Sequence, residues 1–173
     1  MSITKLPTAV FLATTVLVST SLGAQAENVP INGVVQSRCI IQADVPGIYG
    51  NPNAYTLSTQ PADGGVEPVV RYDVSLAGAY KARISYPTEF SSNPTLPDVV
   101  SFTGSTTVKA VSDASGMGTY ESQKITYNNA TEYNLTATGS TWFTTTSEVT
   151  MGGNKSFPGG NYTAMVIAEC IAQ

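Results

Sequence analysis

Alternation is the feature that most constrains this chain. Outside the first 26 residues no stretch carries apolar side chains at i, i+3, i+4 spacing, whereas two-residue alternation and short runs rich in Val, Thr and Tyr recur to the end. A period of two belongs to the strand, whose successive side chains point to opposite faces of a sheet. The strand candidates are "VPINGVVQSRCIIQ" (29–42), "AYTLS" (54–58), "VEPVVRYDVSL" (66–76), "AYKARISY" (79–86), "DVVSFTGSTTVKAVS" (98–112), "TYESQKITYN" (119–128), "TEYNLTATG" (131–139), "STWFTTTSEVTM" (140–151) and "NYTAMVIAECIA" (161–172). Between them lie "PGIYGNPN", "PADGG", "SSNPTLP", "DASGMG" and "MGGNKSFPGG", Gly/Pro/Asn/Asp clusters of the kind that turn a chain from one strand to the next. Short strands at this spacing predict an all-β fold, an immunoglobulin-like β-sandwich, with a barrel as the other arrangement they allow. Pro30 and Pro68 each interrupt a candidate, so those segments are edges or begin after the proline.

The first 26 residues stand apart. Lys5 is their only charge, "AVFLATTVLV" follows it, and "LGAQA" places small residues at Ala24 and Ala26. A basic start, an apolar core and an A-x-A end predict a cleavable secretory signal over 1–26, too short in its apolar run to span a bilayer. The mature chain, 27–173, is then 147 residues, one domain by the usual size range. It divides into an N-terminal extension over 27–38 and a sandwich domain over 39–173. Without Lys5, seven basic residues face twelve acidic ones, a net charge of −5. No basic run survives, so neither nucleic acid nor a membrane surface is an expected partner.

The catalytic inventory is sparse. The chain has no histidine, which removes Ser-His, Cys-His and His-metal arrangements. The carboxylates, Asp44, Asp63, Asp73, Asp98 and Glu148 among them, are scattered singly, and nothing nominates a facing pair such as a glycosidase needs. "DASGMG" (113–118) lacks the repeated acids of a calcium loop and reads as a hairpin turn. The expectation is no enzyme, no cofactor and no metal site. The aromatic pair Trp142-Phe143 could form a sugar platform, but the single tryptophan of a sandwich is expected in the core.

Two cysteines, Cys39 and Cys170, stand near opposite ends of the mature chain. In an exported protein that count favours one disulfide over a zinc site or a catalytic thiol. Closing so long a loop contributes up to about 5 kcal/mol in the chain-entropy treatment and would pin the first strand beside the last.

The two ends also match in pattern. Gly160 is the fourteenth residue from the end, and its parity continues through Tyr162, Ala164, Val166, Ala168, Cys170 and Ala172, so these seven share one face of a strand. The opposite row holds Met165, Ile167 and Ile171, with Glu169 as its one charge. Apolar residues on both faces describe a strand covered on both sides or awaiting a cover. Near the other end, "NVPINGVVQS" alternates Val29, Ile31, Gly33, Val35 and Ser37 on one face, and a protruding segment of that kind can add itself to another molecule's open sheet.

In these features the sequence resembles the pilin subunits of bacterial chaperone–usher fimbriae. The features are the signal, the short alternating extension with an in-row glycine, the early cysteine, and the apolar C-terminal strand with glycine fourteen from the end. The resemblance implies a pilin-type sandwich lacking its final strand, exported through the periplasm to a cell-surface fimbria. It implies a donor strand over 28–37, with Val29, Ile31, Gly33 and Val35 facing the acceptor, and a groove strand running from Gly160 to Ala172. The groove strand would also be the segment contacted by a chaperone. The partners implied are other copies of the chain or related pilins, a periplasmic chaperone and an outer-membrane usher, with no membrane insertion. The function implied is a structural subunit that polymerises by donor-strand exchange and supports adhesion. The sequence departs from the family pattern where Ala172 replaces a penultimate tyrosine, where Cys170 sits in the last strand, and in the shortness of the extension. These departures point to a divergent or archaic type. A different class fits the same strands: a complete secreted β-sandwich that recognises a carbohydrate or a surface protein, with 29–42 as its own first strand.

Overall fold

The computed structural model describes residues 30–32, 38–76, 78 and 80–173. The chain divides into two units, Met1–Val34 and Val35–Gln173, and every element named below belongs to the second. The expected signal segment lies outside the described residues, as does most of the expected extension. Among the described residues no helix is long and apolar enough to cross a membrane.

The second unit is a sandwich of antiparallel sheets. One sheet is built from β1 (Cys39–Val45), β4 (Val69–Val74), β10 (Gly139–Met151), β3 (Thr56–Ser58) and β2 (Gly50–Asn53) in that order, and β7 (Val100–Val111) pairs along the other side of β10. The facing sheet runs β12 (Ile167–Ala172), β5 (Tyr80–Ser85), β9 (Ala130–Leu135), β8 (Ile125–Tyr127). A small third sheet joins β11 (Thr163–Ala164) to β6 (Phe90–Ser92).

The core follows from strand parity. On β4, Val70, Tyr72 and Val74 point inward, and on β5 Ala82 and Ile84 meet them. From β9 come Tyr133 and Leu135, and from β10 Phe143. Phe143 packs edge-on against Tyr72 (centroids 5.5 Å) and tilted against Tyr133 (4.5 Å), arrangements that suit the ring quadrupoles. Both tyrosines also carry their hydroxyls across the core, since a buried hydroxyl needs a partner. Tyr133 donates to the Thr106 carbonyl at 2.8 Å, and the Tyr72 hydroxyl reaches the carbonyls of Arg83 (3.2 Å) and Glu169 (3.1 Å). Tyr72 therefore ties β4 of one sheet to β5 and β12 of the other. Burial raises both phenols well above their ordinary pKa, so each remains a donor.

The structure revises several expectations. The segment "DASGMG" contains a helical turn, α1 (Ala114–Met117), because the Asp113 side chain caps it by accepting from the Ser115 backbone N–H at 2.9 Å while Met117 is buried in the core. The candidate strand over 119–128 shrinks to β8, since its start turns inward to bury Tyr120, whose hydroxyl accepts from the Ala137 backbone N–H at 3.0 Å. Trp142 is not in the core. It alternates with buried Phe143 along β10, so it faces outward, half-buried, and its indole N–H donates to the Asp44 carboxylate at 2.6 Å. The continuous strand expected over 161–172 is broken into β11 and β12. The gap at Met165 and Val166 falls opposite Tyr86 and Pro87, since Ile167 pairs with Ser85, and a proline supplies no N–H to a ladder.

Candidate functional site

The candidate site is the gap between two sheet edges. Among the described residues β1 pairs only with β4, and β12 only with β5. Each is the terminal strand of its own sheet, and an edge strand presents one row of backbone N–H and C=O groups without ladder partners. The two edges lie side by side and are joined by the Cys39–Cys170 disulfide, with Cα atoms 6.5 Å apart. The pairing expected from the cysteine count is thus present, and it sets the first described strand beside the last.

Away from the bridge the edges part. Four residues along on either side, at Ala43 and at Val166, a groove of about 1020 Å³ begins. One wall is the 43–49 stretch and the other is the 157–166 stretch; the chain leaves the bridge along the first and approaches it along the second. The floor has the buried residues Leu57, Val69 and Val70 as its apolar part and Thr59 and Ser147 as its polar part. Towards the far end an aromatic group lies under the wall. Phe90 packs against Phe102 (4.8 Å) and Tyr162 (5.2 Å), and Phe157 against Tyr162 (5.3 Å). The Tyr162 hydroxyl donates to the Pro158 carbonyl at 2.6 Å, and Tyr49 pairs with Ser147 at 2.8 Å. Burial raises the pKa of both phenols, so the groove carries hydroxyl groups and no titrating charge of its own at neutral pH.

Of the expected groove residues, Gly160, Tyr162, Ala164 and Val166 line the groove, whereas Ala168, Cys170 and Ala172 lie beyond it on β12. Tyr162, Ala164, Val166, Ala168 and Cys170 are half-buried, while Asn161, Thr163, Met165, Ile167 and Glu169 alternate with them and are exposed. Gly160 and Ala172, at the two ends of the row, are exposed. Gly160 has φ +151°, and a Cβ there would stand 2.5 Å from Pro94 Cγ, so the wall turns at a position open only to glycine. The rims also carry apolar side chains in the open: Ile48 is 57% exposed and Met165 62%.

Of the expected donor residues, Val29, Gly33 and Val35 lie outside the described residues, and Ile31 belongs to no strand. No sequence expectation falls on the opposite wall, because "PGIYGNPN" reads as a turn. A partial signal is present: Cys39, Ile41, Ala43 and Val45 alternate along β1 towards the groove, but the register shifts between Ala43 and Val45, and from there Pro46, Gly47, Ile48 and Tyr49 line it in an unbroken run.

No known family, curated protein or solved structure matches this chain.

Proposed function

We propose that this chain is a structural subunit of a bacterial surface fimbria of the divergent or archaic chaperone–usher kind. It polymerises by donor-strand exchange: residues 28–37 of one copy fill the groove between the 43–49 and 157–166 walls of the next. The observation that carries the reading is a groove whose two walls continue sheet edges with unpaired backbone, because such a groove is chemically complementary to an extended segment that adds as a strand. The chain itself contains a segment of matching pattern. The wall from 43 to 49 is seven residues long, and Val29, Ile31, Gly33 and Val35 present three alternate side chains and one glycine over seven residues, 29 to 35. Backbone bonds to the two edges would supply affinity, and side chains at every second position would fill the groove. No covalent step is involved. On this reading a periplasmic chaperone covers the groove before assembly, an outer-membrane usher delivers the subunit, and the fibre supports adhesion.

The test is deletion of residues 27–37 from the mature chain. The shortened protein should fold, stay monomeric on a sizing column and bind a synthetic 28–37 peptide, while the full mature chain forms heat-labile ladders or fibres. Fibres from the shortened protein, or a full mature chain that runs as a stable monomer with a reversible melt, would sink the proposal and favour a complete binding module.

A further inference from the structure

We infer that the Tyr72 hydroxyl is a positioning group for the groove: it ties the β12 edge to the opposite sheet just where the seam opens, and so sets the spacing that an added strand meets; this rests on the strand-acceptor reading above. Along β4, Val74 pairs with Cys39, Tyr72 with Ile41 and Val70 with Ala43. The Cys39 row holds the bridge to Cys170, and the Ala43 row is where the groove begins. Tyr72 occupies the row between them, and its side chain is fully buried. Its hydroxyl crosses to the facing sheet and donates to the carbonyls of Glu169, the neighbour of Cys170, at 3.1 Å and of Arg83 at 3.2 Å. Glu169 and Arg83 face one another across the β5–β12 ladder, so one hydroxyl serves both strands. Among the described residues this is the one hydrogen bond between the sheet that contains β1 and β12.

The ladder to β5 fixes β12 within its own sheet but not its distance from β1, with which it shares no ladder. The bridge fixes that distance at a single point, with Cα atoms 6.5 Å apart. One point sets a distance and leaves the angle to packing, whereas a directional tie in the next row sets the angle as well. The angle matters to an inserted strand, which needs about 4.8 Å to each neighbour and bonds both only within a few tenths of an ångström. The far end of the 157–166 wall is held separately, where the Phe157 backbone N–H donates to the Ala54 carbonyl at 2.8 Å. Its near end, beside Val166, depends on Tyr72. Tyr133 is the matched control. It too is fully buried and packs against Phe143, but its hydroxyl donates at 2.8 Å to the Thr106 carbonyl of β7, on the other side of β10 from β4 and β1.

Tyr72→Phe and Tyr133→Phe, each in the full mature chain, test this, with a fluorescent 28–37 peptide as the probe at protein concentrations below those that give fibres. Each substitution removes one oxygen and keeps the ring against Phe143, so both variants should fold and lose similar amounts of melting temperature. The peptide should bind Tyr72→Phe about fivefold more weakly than Tyr133→Phe, the factor to which one ordinary hydrogen bond corresponds. Without peptide, the backbone amides of 166–170 should exchange faster in Tyr72→Phe than in Tyr133→Phe. Equal affinity in the two variants would overturn the inference, whether at the wild-type value or below it, because the hydroxyl would then act through overall stability alone. Equal amide exchange over 166–170 would overturn it as well. A wild-type chain that does not bind the peptide would instead remove the strand-acceptor reading itself.

Discussion

Gly160 sits at φ +151° with Pro94 against it, so Gly160→Ala must both strain the backbone and displace the proline ring. We expect a loss of about 1–3 kcal/mol in denaturant unfolding, with the 157–166 wall displaced and peptide binding weakened. Glu132 is a second residue whose surroundings make it measurable. It is 7% exposed and is held by Lys81 Nζ at 2.9 Å, by the Tyr127 hydroxyl at 2.5 Å and by Arg83 Nη2 at 2.8 Å. These partners, Lys81 foremost, lower its pKa to about 2. A carboxyl whose folded pKa is depressed stabilises the fold fully above its unfolded value of about 4.3 and loses that contribution as pH falls toward the folded value. The melting temperature of the wild type should therefore fall between about pH 4 and about pH 2 more steeply than that of Glu132→Gln. Parallel curves would show that Glu132 is not the group responsible.

At the scale of elements, β10 displays what alternation does and does not decide. Its side chains from Thr141 to Val149 are buried at every odd position and half-buried at every even one. Phe143→Ala should cost about 3–5 kcal/mol, since it empties the contact with Tyr72 and Tyr133. Trp142→Phe should cost less than about 1 kcal/mol, since it gives up one partly exposed bond to Asp44. Comparable losses from the two would mean that the parity assignment is wrong. The period-two pattern was legible in the sequence because it reports a sheet with one dry face. Which of two adjacent aromatics belongs to that face was not, because register is set by the partner strands, here Val70 opposite Phe143 and Arg71 opposite Trp142. The break between β11 and β12 was hidden for the same reason. Its cause, Pro87, lies far upstream in the chain and acts only because the segment that follows β5 runs beside Met165 and Val166.

For the whole molecule the disulfide sets the connection between the two sheets at the groove. It closes a loop with a sequence separation of 131 residues and joins β1 of one sheet to β12 of the other, which share no ladder. Reduction should lower the stability of the folded protein by up to about 5 kcal/mol, read as a drop in the denaturant midpoint. A midpoint unchanged by reductant would mean that the core packing alone holds the edges together. The sequence by itself determined the strand period, the pairing of Cys39 with Cys170 and the parity of the C-terminal row, because each is a local pattern or a count. Only the tertiary structure decided that β1 and β12 end two different sheets, that they part four residues from the bridge, and that 43–49 forms the second wall. Those facts depend on which strands pair across the sandwich, and pairing is a relation between distant segments that no local pattern contains.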